Sequence, residues 1–295
     1  MAKKKLDKDA LYRMERFTPE QMIIVQRSIY DYGQAIGGMP MHHSEVYEKR
    51  GWLLPFLFAY DDLLHGRWSY WQDILQKGTI VGSGPIPRLD FIQSADERLN
   101  PAMKMLNDCL SQHWTHGALD DFADWLLWGF AATNEPPKID PQVNEHFYRT
   151  FDLFLVLDRP YDYLSMVLSE QTSRGYKSGL GYFPTPMSIT MLMAEMTMAG
   201  SDPEKAKKQS FMEPCVGCGA IMLPMSNYVL RGFASDISMI AVKLCKIQMY
   251  WYAPWFAFHP ESLQGFSDEE AIKLVPSFGG RGIVEGQLAL DLVGV

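Results

Sequence analysis

EPCVGCGAIM, residues 213–222, puts two cysteines and two glycines into ten positions. Two readings compete for it. Either Cys215-x-x-Cys218 is a metal or redox pair, or Gly217 and Gly219 shape a ligand loop and the cysteines are incidental. The flanks bear on the choice. SFMEP (210–214) reads as a short strand ending in an acidic residue, and GAIMLPMSNYVLRG (219–232) as a helix closed by Gly232. FASDI (233–237) reads as a second strand, SMIAVKLCKIQMYWY (238–252) as a second helix, and WFAFHPESL (255–263) as a third strand with its exit loop. Strand and helix in alternation predict a parallel α/β sheet.

In such a sheet, ligands bind outside the carboxyl ends of the strands, where the loop after Glu213 lies. Glycine there admits a ligand to the backbone with no Cβ in the way. Asp236 stands 23 residues after Glu213, at the end of the next strand. An acidic residue about 20 positions on is placed to accept from a ribose hydroxyl pair. GCGAIM carries Met222 where a dinucleotide fingerprint needs its third glycine, and no Lys-Ser or Lys-Thr follows as in a P-loop. NAD and ATP are therefore disfavoured. A structural zinc site needs four ligands, and Cys109 and Cys245 have no paired neighbour. No metal is expected. A thioredoxin-like reading accounts for the cysteines but for none of the neighbouring segments.

Upstream, the chain reads as helical. TPEQMIIVQRSIYDYGQAI (18–36) opens with Thr18, Pro19 and Gln21 in a capping-box pattern, with Met22, Ile23, Val25 and Ile29 at helical spacing. Further helices are expected over 100–116, 118–133, 144–157 and from Pro160 onward, with NEPPKIDP (134–141) as a connection. Trp125 and Trp128 are expected in the core. His113 and His116 read as packing or surface residues. SRGYKSGLGYFPTP (173–186) is a Gly/Pro-punctuated loop of the kind that carries function. In MSITMLMAEMTMAG (187–200), Ile189, Leu192, Met193 and Met196 share one helix face, expected to fill the core.

Composition bounds the class. Of 295 residues, 47% are hydrophobic and 21% charged, as in a globular chain with a sizeable core. A net charge of −8 argues against tight unaided nucleic-acid binding, and the basic run Lys3–Lys5 reads as a solvated terminus. The apolar stretch 51–64 is interrupted by Pro55, Asp61 and Asp62 and falls short of the ~20 residues that span a bilayer. MAKKK is followed by no apolar run. A cytoplasmic protein with no membrane association and no disulfides is expected.

The segments together resemble a known family. MEPCVGCGAIML is similar to the S-adenosylmethionine-binding loop of adenine-N6 DNA methyltransferases, usually Asp-Pro-Ala-Cys-Gly-Ser-Gly-Gly. GYFPTP (181–186) resembles the Gly-Gln-Phe-Phe-Thr-Pro segment of type I modification subunits, and RPYDYLSMVLSEQ (159–171) the helix before it. ASDIS resembles the Gly-x-Asp-Ile strand end, and HPESL the Gly-Asp-Ser-Leu loop after strand three. Order and spacing agree across residues 158–263. The resemblance implies a helical domain over 1–157 and, over 158–295, an incomplete Rossmann-like S-adenosylmethionine-dependent methyltransferase domain. By position, Phe183, Thr185 and Pro186 would line the methionine end of the cofactor. Glu213, Pro214, Gly217 and Gly219 would cradle its amino-acid part. Asp236 would bind the ribose and Ile237 pack on the adenine. Glu261 would accept from the adenine amino group, beside Ser262.

The family's catalytic Asn-Pro-Pro-aromatic loop, which holds a flipped base, is not found intact. LVPSFGG (274–280) aligns as Val275, Pro276, Ser277 and Phe278, with an aliphatic side chain where the amide should be. Alternatively LALDLVGV (288–295) is strand four, and the loop would start beyond Val295. The resemblance thus implies a homologue that keeps the cofactor segments and is inactive alone, with DNA and a partner subunit as partners and self-association possible. The alternatives are a non-enzymatic DNA- or protein-binding module on the same fold, or an enzyme completed by a second chain.

Overall fold

The computed structural model describes residues 17–93, 97–111, 117–172, 183–260, 263–266 and the backbone of 288–290. In chain order its elements are α1 (Pro19–Ala35), α2 (Leu54–Leu64), α3 (Arg67–Lys77), α4 (Asn100–Cys109), α5 (Ala118–Gly129), α6 (Pro141–Thr150), α7 (Leu153–Asp158), α8 (Tyr163–Thr172), α9 (Met187–Met198) and α10 (Pro203–Ala206). After these come β1 (Ser210–Glu213), α11 (Met222–Met225), β2 (Arg231–Asp236), α12 (Met239–Tyr252), α13 (Pro254–Ala257) and β3 (Leu288–Leu290). Two compact units result: Met1–Leu64 with Asp96–Arg159, and His65–Ala95 with Pro160–Val295. Residues 65–95 therefore group with a unit that is remote from them in sequence.

The first unit is helical. α1 starts at a capping box: Gln21 N–H donates to Thr18 Oγ1 at 3.2 Å and Thr18 N–H to Gln21 Oε1 at 2.8 Å. Two orphan amides of the helix end are satisfied reciprocally. Of the apolar residues on this helix, Val25 is buried and Ile23 is 64% exposed. The core of the unit is aromatic. Trp125 meets Trp52 edge-on at 5.1 Å and Phe147 at 5.6 Å, and its indole N–H donates to Asn144 Oδ1 at 2.9 Å. Trp128 is likewise buried and donates to the Val46 carbonyl. Gly129 is held to glycine by contact, since a Cβ there would lie 2.5 Å from Leu53 Cδ1. The stretch 144–157 is two helices rather than the expected one. Asp152 accepts from Phe154 N–H and caps α7, so the polar cap outcompetes helix continuation. Residues 134–140 form an irregular connection.

The second unit mixes α and β. β1 and β2 pair in parallel, with Ser210 opposite Arg231 and Glu213 opposite Ala234. β3 pairs antiparallel to the other side of β2, giving the order β1-β2-β3. Four expectations change. First, 254–257 is a short helix, not a third strand. Pro254 sits in its first turn, Trp255 and Phe256 are fully buried, and a short continuous apolar run carries no period to separate strand from helix. Second, Leu288–Leu290, read as part of strand four in one of two alignments, is a strand that pairs antiparallel to β2, so the sheet is not wholly parallel. Third, the helix after the glycine loop is only Met222–Met225. Beyond it Asn227 faces away to residue 89, accepting from Leu89 N–H at 2.9 Å and donating to the Leu89 carbonyl at 3.0 Å. The chain then enters β2 at Arg231, two residues early.

The fourth change concerns α9. Its buried residues are Met187, Thr190, Ala194 and Met198, while Ile189, Leu192, Met193 and Met196 are each about half exposed or more. The small side chains Thr190 and Ala194 give α9 its inward face, and the helix packs against α11. Behind α11, Arg67 is fully buried. Its guanidinium donates to Ser226 Oγ at 3.1 Å, the Ser226 carbonyl at 2.6 Å and the Tyr252 carbonyl at 2.6 Å, and lies 4.3 Å from the Trp255 ring. That fork ties the end of α11 to the end of α12 and fixes the stem of the loop between β1 and α11. No helix among the described residues is long and apolar enough to cross a membrane.

Candidate functional site

The loop 214–221 joins the end of β1 to α11, next to the end of β2. Its polar groups bond largely to the two strand ends that flank it. Glu213 Oε1 accepts from Cys215 N–H at 2.9 Å. Val216 N–H donates to the Ser235 carbonyl at 3.0 Å, and Ser235 Oγ donates to the Pro214 carbonyl at 3.2 Å. The half-buried Asp236 joins both sides. Its Oδ2 accepts from Gly217 N–H at 2.8 Å and its Oδ1 from Ser238 N–H at 2.8 Å. Ser238 in turn caps α12 by accepting from Ala241 N–H. The acidic strand end, the glycine loop and the start of the next helix thus form one hydrogen-bonded unit.

Both glycines have structural reasons to be glycine. Gly217 has φ +55° and Gly219 φ +99°, left-handed conformations that cost other residues free energy. A Cβ on Gly219 would also stand 3.0 Å from both Cys245 Sγ and Met249 Cε of α12. Gly219 is therefore a helix-packing glycine as much as a loop glycine.

The cysteines divide. Cys215 is exposed, whereas Cys218 and Cys245 are buried, and all are free thiols. Burial first, then the neighbouring Cys218, Asp162 and Asp236, pushes the Cys245 thiol well above its usual range, so it is neutral. Among the described residues no group of three His, Cys, Asp or Glu side chains is placed to hold a metal.

A polar connection that sequence reading missed lies beneath the loop. Gln248 of α12 is fully buried. Its Nε2 donates to the Cys218 carbonyl at 2.7 Å and to Asp162 Oδ1 at 2.7 Å, and its Oε1 accepts from Leu164 N–H at 3.3 Å. Asp162 also accepts from Ser165 N–H at the start of α8, and burial raises its carboxyl above the ordinary aspartate range despite these bonds. The available signal was a glutamine inside the apolar run of α12.

The remaining predicted residues stand as follows. Phe183, Thr185 and Pro186 form the extended entry to α9. Phe183 is 80% exposed, and the Pro186 carbonyl accepts from Ile189 and Thr190 N–H. Pro214 is exposed in the loop, and Ile237 projects from the end of β2 at 72% exposure. The geometry brings together Glu213, Pro214, Gly217, Gly219, Asp236 and Ile237, while Phe183–Pro186 lead into α9, which packs on α11. Glu261, Ser262, Pro276, Ser277 and Phe278 lie outside the described residues, as do Val275, Lys3–Lys5, His113 and His116. The site offers carboxylate acceptors and exposed apolar side chains at a strand-end loop, a combination suited to a ligand with hydroxyl or ammonium donors and a flat apolar part. Comparison of the chain with protein-family models, with curated proteins and with solved structures finds no match.

Proposed function

We propose that this chain is a homologue of adenine-N6 DNA methyltransferases that binds S-adenosylmethionine at the 213–221 loop and does not transfer the methyl group by itself. The observation that carries the reading is the link between the glycine loop and the second strand end, Gly217 N–H to Asp236 Oδ2, across a parallel strand pair. It sets an acidic acceptor beside a glycine turn at the carboxyl ends of two adjacent strands, where nucleoside ligands of such sheets bind. Ile237, exposed beside Asp236, offers an apolar face to the adenine, and Glu213 an acceptor to the amino-acid part. On this reading the α/β unit is Rossmann-like, the protein works in the cytoplasm, and DNA and a partner subunit are its partners. The degenerate Val275-Pro-Ser-Phe278 stretch leaves no side-chain amide to accept from a target adenine, which motivates inactivity of the chain alone.

Calorimetric titration with S-adenosylmethionine tests the binding part. Binding that Asp236→Ala abolishes supports it, and no binding at millimolar cofactor refutes it in favour of a non-enzymatic module. Tritiated-methyl transfer to adenine-containing DNA tests the rest, and robust turnover by the purified chain would refute inactivity.

A further inference from the structure

We infer that Gln248 is a positioning residue for the cofactor loop, holding the Cys218 carbonyl and the start of α8 with one side-chain amide; the inference rests on the loop being the binding site. Three segments far apart in sequence meet at this residue. The loop contributes the Cys218 carbonyl, the entry to α8 contributes Asp162 and Leu164 N–H, and α12 carries Gln248 itself. An amide is the side chain that does this, because it offers two donor protons and an acceptor on one planar group. Both protons and the acceptor are used, and the residue has no contact with solvent.

The Cys218 carbonyl lies between the two left-handed glycines. Gly217 precedes it with its N–H on Asp236, and Gly219 follows against Cys245 and Met249. The peptide after Cys218 is therefore tied at its oxygen to α12, within the turn that carries Gly217 and Gly219. Without the amide, the turn loses the bond that ties it to α12 and through it to α8, and the peptide is freer to rotate. The Cys218 thiol, fully buried in this arrangement, moves with it.

Cys218 is thus a built-in reporter; Cys109 reports on unfolding of the helical unit, and an apolar truncation on α12 controls for destabilisation of the unit that holds Cys218. The experiment compares the full chain with Gln248→Met, which keeps length and removes the donors, and with Leu244→Ala, an apolar truncation on the same helix. Alkylation by iodoacetamide is followed thiol by thiol by peptide mass spectrometry, and S-adenosylmethionine affinity by equilibrium dialysis. The expected result for Gln248→Met is at least tenfold faster alkylation of Cys218, an unchanged rate at Cys109 and at least tenfold weaker cofactor binding. Leu244→Ala is expected to keep Cys218 at its original rate and affinity within twofold, whatever its melting temperature. An unchanged Cys218 rate in Gln248→Met overturns the inference. So does an equal rise in Leu244→Ala, or a released Cys218 with undiminished affinity. If the unaltered chain binds no cofactor, the functional reading fails, and the thiol rates still decide whether Gln248 fixes the loop. Should Gln248→Met not fold, amide hydrogen exchange on the unaltered chain takes its place. Leu164 N–H, in the first turn of α8 and bonded to Gln248 Oε1, should exchange at least a hundredfold slower than in an unstructured peptide, and free exchange there overturns the inference.

Discussion

Replacing Gly219 by alanine separates two reasons for a glycine in this loop. Reserved only for ligand approach, it would tolerate a methyl group in the free protein and lose affinity. The structure sets two costs against that. At φ +99° an alanine is outside the regions open to L-residues, a strain of about 1–3 kcal/mol. Its Cβ would stand 3.0 Å from Cys245 Sγ and from Met249 Cε. Carbon contacts prefer about 3.5–4.0 Å, so each neighbour must retreat by roughly half an ångström or more. Met249 can swing its terminal methyl away, but Cys245 is short and fully buried. Overpacking of this kind costs about 1–3 kcal/mol, giving a total of about 2–6 kcal/mol. Urea denaturation of Gly219→Ala is the assay, with Cys245→Ala and the double variant completing a thermodynamic cycle. The double variant should recover about 1 kcal/mol relative to additivity, the share of the clash that belongs to the sulfur. A Gly219→Ala loss below about 1 kcal/mol would refute the packing argument, as would a cycle additive within about 0.3 kcal/mol.

Other outcomes follow from the same geometry. His259 is buried between Trp71 and Phe266, and burial, then the nearby Arg231, lowers its imidazole to about 4. The unfolded chain protonates first, near the ordinary value of about 6.5, so this group's stabilisation is complete above that pH. It is lost as pH falls from about 6.5 to 4, by about 3 kcal/mol, and His259→Phe should flatten the slope in urea melts across that window. Asp236→Asn keeps one acceptor oxygen for the two amides of Gly217 and Ser238, so it should destabilise by about 1–2 kcal/mol in the same assay. Met196→Gln changes a side chain that is 70% exposed and should alter stability by no more than about 0.5 kcal/mol; a larger loss would mean the α9 face is covered. Thr18→Ala removes the acceptor for Gln21 N–H, and a loss of about 1 kcal/mol is expected by thermal melting.

What was legible in the sequence was local. The capping box at Thr18 rests on residues three positions apart and stands as read. β1, β2 and α12 were legible because glycine and acidic punctuation brackets each of them. α13 was not, because Trp255-Phe256-Ala257 is apolar on every side and the choice of helix was made by Pro254 and by burial on all faces. α9 shows a different limit. Periodicity tells which residues share a face, but the direction of that face depends on what packs there. Ala194 and Thr190 allow a close approach that Met193 and Met196 would block. At the loop, spacing brought Glu213, the glycines and Asp236 into one region. It said nothing of their partners, because a backbone amide leaves no mark in the sequence. Gln248 was hidden by its company, a polar residue in a helix read for its apolar positions.

Each carboxylate oxygen of Asp236 spends one bond on a backbone amide and keeps further lone-pair capacity. The side chain is thus already immobilised before any ligand arrives, its rotamers lost at the folding step. A hydroxyl pair docking on it would meet a fixed acceptor plane and incur little ordering cost on the protein side. Binding that uses Asp236 should accordingly show a small entropic penalty. Lengthening the side chain in Asp236→Glu would weaken such binding even though every charge and every acceptor atom is retained.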